Sequence, residues 1–236
     1  MPEQTIGLYP DVGGSYFLHK MPAHVGLFLG LTSASINCED AKLVSLADHF
    51  VNADKYPELV EALLNTKWGK TASLNHDKLS TLLIELDNNS SCMPKGNLKA
   101  NLSLIQKLGE FDTLQQHVDY ILNLNTDDKW LQRAQKSLAH GCPLSCALVS
   151  EQLKHSKGKN LAECFKMELG MSVRAGEVGE FQEGVRALLI DKDGTPQWQF
   201  KSLADVPKEV VESFFANRFG EQHPLEPYFS QLNLQG

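Results

Sequence analysis

Residues 1–20 have the sequence MPEQTIGLYPDVGGSYFLHK and contain the most informative turn signals of the chain. The first ten residues predict a short strand or extended segment, because the residue before Pro10 is biased away from the helical region. The DVGG that follows, residues 11–14, is typical of a tight turn. Asp11 is placed to cap a helix predicted over residues 16–21. An extended piece, a turn and a short helix are therefore expected here.

Most of the sequence beyond this stretch has helical periodicity. A helix is predicted just after Pro22, because apolar residues recur there at helical spacing, at Val25, Phe28, Leu29 and Leu31. Residues 39–44 predict another short helix, and residues 47–51 predict a short strand. After Asn52 the apolar pattern predicts helices at 56–66, 79–86, 98–108, 114–122, 130–140, 145–154, 161–174 and 208–219.

Two of these helices have a predicted core face. Over residues 130–140 it consists of Leu131, Ala134 and Leu138, and over residues 161–174 of Leu161, Cys164, Phe165 and Leu169. Residues 184–191 fit either a strand or the end of a buried helix. Residues 88–91 are a polar break, and the tail after residue 219 is expected to be loosely held. Because two short extended pieces cannot form a stable sheet alone, the predicted fold class of this chain is mainly α.

The composition excludes several classes of function. The chain has 236 residues and a formal net charge of −7, and the local basic patch that nucleic acid requires is not found. No apolar run approaches the roughly 20 residues of a membrane span, so neither a nucleic-acid nor a membrane partner is expected. The five cysteines, an odd number, favour inert thiols over a disulfide framework or a metal site: Cys38, Cys92, Cys142, Cys146 and Cys164.

Two carboxylates flank the Gly/Pro corner near the start of the chain. General motif searches find no phosphate loop, dinucleotide fingerprint, zinc motif or nucleophile elbow. Glu3 and Asp11 lie eight residues apart, and if the corner turns both inward each raises the pKa of the other, as suits a general acid/base pair. By spacing alone the simpler interpretation is favoured, in which Asp11 is a helix cap and Glu3 a solvated residue.

Two motifs resemble the crotonase (enoyl-CoA hydratase/isomerase) superfamily. Residues 1–51, from MPEQTIGLYPDVGG to ADHFV, are similar to its central segment, and Asp11 in PDVGG is similar to the 3-hydroxyisobutyryl-CoA hydrolase branch. The second motif is the string FQEGVRALLIDKD at residues 181–193, followed by Pro196 and Trp198. The order of these motifs is specific to the hydrolase branch, whose C-terminal portion the chain resembles.

The resemblance implies both an architecture and a reaction. It implies the end of a crotonase-like α/β spiral core at residues 1–51, a helical middle region at 52–140 and a helical C-terminal region at 141–236. It places the active-site glutamate at Glu3 and the substrate-contacting acid at Asp11. The implied reaction is hydrolysis of the 3-hydroxyisobutyryl-CoA thioester in valine catabolism. Neither a metal nor a redox cofactor is implied, since CoA enters as part of the acyl-CoA substrate.

The resemblance also implies partners and leaves alternatives open. The family's repeated core and its oxyanion-hole amides lie upstream of this segment, so the isolated chain is expected to be inactive and aggregation-prone without the upstream half of the protein. A homo-oligomer is possible, and the implied location is cytoplasmic for a bacterial source or the mitochondrial matrix for a eukaryotic one. The alternatives are an enoyl-CoA hydratase or isomerase and a non-catalytic helical assembly module. Ser33 and Ser45 stand where the superfamily usually has glycine.

Overall fold

The computed structural model describes residues 1–88 and 93–232, and their side chains as far as residue 229. Cys92 and most of the predicted polar break therefore lie outside the described residues. The chain divides into two compact units, one made of Met1–Ser35 with Leu102–Gly236 and the other of Ile36–Asn101. The first unit joins segments that are far apart in the chain. The three regions expected from the sequence stay a prediction.

The described residues are mainly helical and contain no strand, which confirms the mainly α prediction. The α-helices are α1 (Gly14–Lys20), α2 (Val25–Thr32), α3 (Cys38–Leu43), α4 (Tyr56–Asn65), α5 (Ala72–Asn88), α6 (Leu98–Gln106), α7 (Leu114–Leu122), α8 (Lys129–His140), α9 (Pro143–His155), α10 (Leu161–Val178), α11 (Glu180–Val185), α12 (Lys208–Ser213) and α13 (Glu226–Leu232). Shorter 3-10 helices and one π-helix also occur: Glu3–Ile6, Ala53–Lys55, Lys107–Glu110, Leu203–Asp205 and the π-helix Arg186–Ile190. No described helix combines the length and apolarity of a membrane span.

The predictions of an extended segment at residues 1–10 and of a strand at residues 47–51 are wrong. Residues Glu3–Ile6 form a 3-10 helix that Gly7 ends in the left-handed region, with φ of 73°. The amide of Leu8 donates to the Glu3 carbonyl at 3.0 Å, so the chain curls where the sequence predicted extension. Residues 47–51 pair with no strand, because the amides of residues 46 and 47 both donate back to the carbonyl of Ala41 at the end of α3.

In the C-terminal part the structure decides one open prediction and differs from two others. Residues 184–190 are helical, so the helical alternative is the correct one for this segment. The last predicted helix is too long, since α12 ends at Ser213 and the fully buried ring of Phe214 follows it. The tail is not wholly loose, because α13 forms and its buried Phe229 lies 6.3 Å from the ring of Phe165.

The first unit contains the main core. Its centre is a cluster of buried side chains from α9, α10, α12 and the connecting segments: Tyr9, Cys142, Leu144, Leu148, Met171, Ala175, Trp198, Phe200, Val211 and Phe214. The predicted core faces of α2 and α8 are buried as expected. The face predicted for α10 is largely wrong, because only Cys164 of its four residues is buried. The helix instead buries a side that includes the carboxylate of Glu168.

The second unit is organised by an N-terminal cap. Asn37 and Asp40 form a capping box at the start of α3. The carboxylate of the buried Asp40 also accepts the amide of Leu98 at 2.8 Å, so one acid satisfies the amides of two helix starts. Ser33 directly follows α2, and Ser45 lies two residues after the end of α3. Their φ angles of 54° and 59° lie in the left-handed region that favours glycine.

Gly184 allows α11 to approach the 3-10 helix that carries Glu3. A Cβ atom at this position would lie 2.1 Å from the carbonyl oxygen of Ile6, which is backbone and cannot rotate away. We expect Gly184→Ala to lower the free energy of unfolding by about 1–3 kcal/mol, the usual cost of overpacking.

Gly176→Ala is the matched control for this prediction, because Gly176 is also helical and nothing lies within 4 Å of its added Cβ. We expect the control to be neutral or stabilising, since alanine is the better helix former. Denaturant unfolding of both variants is the measurement. Equal stability of the two variants would contradict the role of Gly184.

Candidate active site

Glu3 opens a 3-10 helix whose position is fixed by the residue beside it. The Gln4 side chain is fully buried, and its Nε2 donates to Cys146 Sγ at 3.6 Å. Its backbone carbonyl accepts the amide of Cys142 at 3.1 Å. The space for this side chain exists because residue 141 is glycine, at which a Cβ would overlap the Gln4 amide. Gln4 thus ties the turn that carries Glu3 to the start of α9.

Asp11 lies on a turn that is held from both sides. On its N-terminal side the Tyr9 hydroxyl donates to the Glu168 carbonyl at 2.6 Å, and Gln152 Nε2 donates to the Pro10 carbonyl at 2.6 Å. On its C-terminal side the Glu168 carboxylate accepts the amide of Gly13 at 2.7 Å and that of Ser15 at 2.9 Å. Two buried side chains, Gln152 and Glu168, therefore determine where Asp11 sits.

The prediction that Asp11 caps α1 is wrong. The N-cap of α1 is Gly13, with φ of 83°, and no side chain forms the cap bond. The Glu168 carboxylate accepts the free amides at this helix start instead. Val12, between Asp11 and Gly13, has φ of 53°, a sparsely populated region for a β-branched residue. The turn thus leaves the Asp11 carboxylate free of a capping role.

Burial raises the pKa values of both acids, and the charge of Asp11 raises that of Glu3 further. The pKa of Glu3 is raised mainly by burial and further by the charge of Asp11, while a backbone hydrogen bond and the N-terminal ammonium lower it in part. Burial also raises the pKa of Asp11. Glu3 Oε2 is buried and has no hydrogen-bond partner, and neither acid pairs with a cation among the described residues. A buried, unpartnered carboxylate oxygen is able to accept a proton or a hydrogen bond from a ligand.

Glu3→Gln is expected to stabilise the fold at about pH 8, and its advantage should shrink as the pH falls. Because the pKa of Glu3 is raised in the folded state, folding disfavours the carboxylate at pH values above that pKa, and the cost disappears when the group is protonated. Thermal unfolding of both chains between about pH 4 and 8 is the measurement. A difference in Tm that stays constant over this range would contradict the raised pKa.

The string FQEGVRALLIDKD at residues 181–193 has a structural role. The guanidinium of Arg186 donates to Glu183 at 2.8 Å and to Asp191 and Asp193 at 2.7 Å each. Arg186 and the amide of Gln197 hold the pKa of Glu183 at about 2. This network closes the loop after the π-helix, and it does not involve Glu3 or Asp11.

The buried thiols of Cys142 and Cys146 are not candidate nucleophiles. Burial raises the pKa of Cys142 to about 11 and that of Cys146 to about 12, so neither forms a thiolate readily near neutral pH. The four cysteines within the described ranges are free. In the same ranges no group of three or more histidine, cysteine or acidic side chains is arranged to hold a metal ion.

Sequence reasoning did not assign a role to Glu168, Gln152 or Gln4. A signal for Glu168 was available, because it falls on one side of α10 with Cys164 and Met171, and a carboxylate at a core position needs partners. The two glutamines gave no comparable signal. Their partners are 142 residues away in the sequence, and only the tertiary structure brings them together.

Solved structures define the class of fold to which the chain belongs. An enoyl-CoA hydratase from Rhodobacter sphaeroides 2.4.1 matches with a TM-score of 0.75 and 30% identity, over 92% of this chain and 58% of that chain. A carnitinyl-CoA dehydratase from Mycobacterium thermoresistibile matches with a TM-score of 0.75 and 27% identity, over the same shares. The chain thus has the helical part of a crotonase-type fold, as the sequence resemblance implied.

Sequence comparisons then show the family. The model of the enoyl-CoA hydratase/isomerase family matches residues 1–215, and the chain belongs to this family. Its relatives include mitochondrial 3-hydroxyisobutyryl-CoA hydrolases from Dictyostelium discoideum (32% identical over 91% of the chain), Danio rerio (33% over 92%) and Homo sapiens (30% over 91%). The matches cover 55%, 56% and 54% of these proteins, so the chain spans about half of their length.

Proposed function

We propose that this chain supplies the carboxylates of a hydrolase that cleaves a short 3-hydroxyacyl-CoA thioester, 3-hydroxyisobutyryl-CoA being the preferred substrate. The observation that carries the proposal is the Glu3 carboxylate, partly buried beside Asp11, with its Oε2 atom free of any partner. The names of the relatives support the substrate class.

Glu3 would act as the general base on water. The raised pKa makes its carboxylate a better proton acceptor than an ordinary glutamate. The water oxygen adds to the thioester carbonyl carbon while its proton passes to Glu3. The C–S bond then breaks, and the proton returns from Glu3 to the leaving thiolate. A thiol has a pKa of about 8.5, so no strong acid is needed at sulfur.

Direct attack by Glu3 on the carbonyl carbon is the competing route, through an anhydride that water then hydrolyses. A single turnover in ¹⁸O-water detects an anhydride that water opens at the Glu3 carbonyl. Attack by water places the label in the hydroxy acid. An anhydride opened at the Glu3 carbonyl places the label in Glu3, where mass spectrometry of the peptide that contains Glu3 detects it.

Asp11 would accept a hydrogen bond from the 3-hydroxyl of the substrate, or else adjust the pKa of Glu3 through its charge. Its carboxylate caps no helix and is partly buried, and its charge already acts on Glu3. A hydroxyl donor that bonds to Asp11 would spread that negative charge. The substrate would then be recognised by the group that distinguishes it from a plain acyl thioester.

The complete reaction needs donors for the developing oxyanion, and the family supplies them from its upstream half. We propose that this half is the obligatory partner of the chain, that CoA is required only as part of the substrate, and that no metal takes part. Leu189 and Ile190, which expose 60% and 69% of their surface, support a covering partner of this kind, whether the upstream half or a second copy. The relatives named as mitochondrial support a mitochondrial location in a eukaryotic source, and we propose the matrix as the compartment.

The test is free-thiol release from 3-hydroxyisobutyryl-CoA, with isobutyryl-CoA as the matched substrate that lacks only the hydroxyl. The chain alone and the chain extended by the upstream half are assayed together. We expect activity in the extended protein only, and a clear preference for the hydroxylated substrate. Turnover by the chain alone would overturn the need for the upstream half.

The hydratase alternative has support from the name of the Rhodobacter sphaeroides structure, so crotonyl-CoA hydration is assayed on the same extended protein. Hydration without thiol release would replace the hydrolase proposal. Neither activity, together with a mass in solution that rises with concentration, would favour the helical assembly module.

A further inference from the structure

A cavity of about 520 Å³ opens in the first unit beside one face of α8. This face carries Arg133, Lys136 and His140 at helical spacing, so that three nitrogen-bearing side chains line the same wall. The cavity is separate from the Glu3 carboxylate and Asp11, neither of which lines it. Thr5, from the 3-10 helix that Glu3 opens, lies at its edge.

The cavity wall is positively charged in a chain whose net charge is −7. No carboxylate lines the cavity, and Arg133 and Lys136 form no ion pair with any described residue. Asp191 and Asp193 lie in the chain between two cavity-lining residues, Leu188 and Gly194. Both accept hydrogen bonds from the guanidinium of Arg186. Two uncompensated cations on one helix face are thus available to an anion. They are too few for a nucleic-acid backbone, but they suit a single phosphate group.

The rest of the wall offers a hydroxyl and an apolar surface. Ser137 lines the cavity, and its Oγ atom is buried without a hydrogen-bond partner. Leu188, Pro196 and Trp198 form the apolar side, and the Trp198 ring is held by a bond from its Nε1 to the His140 carbonyl at 3.3 Å. A buried hydroxyl without a hydrogen-bond partner is unusual in a native protein. A ligand oxygen within reach would supply the missing partner.

We propose that this cavity binds the phosphate of a nucleotide-like organic phosphate. Arg133 and Lys136 would contact the phosphate, Ser137 would donate to one of its oxygens, and the ring or pantetheine-like body would pack on Pro196 and Trp198. The phosphate has two possible sources. One is the nucleotide end of the acyl-CoA substrate, which rests on the proposed function, and the other is a separate nucleotide.

Calorimetric titration of the 236-residue chain with CoA and with ADP tests the site directly and requires no turnover. We expect both to bind, and expect Arg133→Gln with Lys136→Gln to weaken binding by about tenfold or more, because charged hydrogen bonds are lost. The control, Lys129→Gln with Lys157→Gln, removes the same two charges from exposed positions outside the cavity and should bind as the parent does.

Ser137→Ala tests whether weaker binding comes from the loss of a ligand contact and not from loss of folding. It removes a buried hydroxyl that has no partner, so we expect unchanged or slightly raised stability together with weaker binding. No binding of CoA or ADP at millimolar concentration, or equal affinity in the cavity and control variants, would overturn the proposal.

The two sources are separated in the extended protein. If the cavity holds the end of acyl-CoA, the Arg133/Lys136 variant raises KM for thioester cleavage and leaves kcat nearly unchanged. If it holds a separate nucleotide, ADP binds and KM stays the same. Absence of thioester cleavage would refute the proposed function while leaving the calorimetric result intact, so the two failures are distinguishable.

Discussion

Glu3→Gln is expected to lower kcat for 3-hydroxyisobutyryl-CoA hydrolysis by about 10²–10⁴-fold, the range over which a positioned base contributes. Glutamine keeps the size of the side chain and removes the proton acceptor. The Oε2 atom of Glu3 has no structural partner to lose, so the loss of rate should come without a loss of fold. Free-thiol release by the chain extended with the upstream half is the measurement.

The pH profile of the unchanged protein supplies a second readout of the same residue. Because the pKa of Glu3 is raised, kcat should fall as the pH drops through a value above the ordinary glutamate range. Extension of the chain also removes the nearby ammonium that now lowers this pKa, so the fall should move to still higher pH. Glu110→Gln, at an exposed site, is the control. Near-unchanged turnover in Glu3→Gln would end the catalytic assignment.

The helical content of the chain could be predicted from its apolar periodicity. Helices α7 and α8 begin and end within one residue of the predicted positions, because their apolar stripes are regular and their starts carry capping residues. The errors arose where tertiary contacts override local preference. Residues Glu3–Ile6 curl because Gln4 is anchored to α9, and no pattern within ten residues indicates this contact.

The candidate acids were predictable only through the family resemblance. By spacing alone, Asp11 was better explained as a helix cap, and the structure removes that explanation by giving the cap position to Gly13. The residues that position Asp11 could not be paired from the sequence, since Glu168 lies 155 residues from Gly13. A carboxylate at a predicted core position can be recognised as unusual from the sequence. Its hydrogen-bond partners can be identified only in the folded structure.

Glu168 connects the stability of the fold to the geometry of the site. Its buried carboxylate accepts two amides of the turn, and its own carbonyl accepts the hydroxyl of Tyr9 on the other side of Asp11. Burial is the main cause that raises the pKa of Glu168, and the bonds from the Ser15 and Gly13 sides oppose it. The fold therefore retains a carboxylate in an unfavourable environment because two amides at the start of α1 have no other acceptor.

Glu168→Gln is expected to cost about 1–3 kcal/mol of unfolding free energy, and Glu168→Ala about twice as much, because one or both buried amides lose their acceptor. Denaturant unfolding measures the cost, with Glu110→Gln as the exposed control. If Glu168 also positions Asp11, Glu168→Gln should slow cleavage of 3-hydroxyisobutyryl-CoA more than that of isobutyryl-CoA, since only the first substrate has the hydroxyl that Asp11 would bind. A purely structural residue would slow both equally, and that result would leave Glu168 with stability as its role.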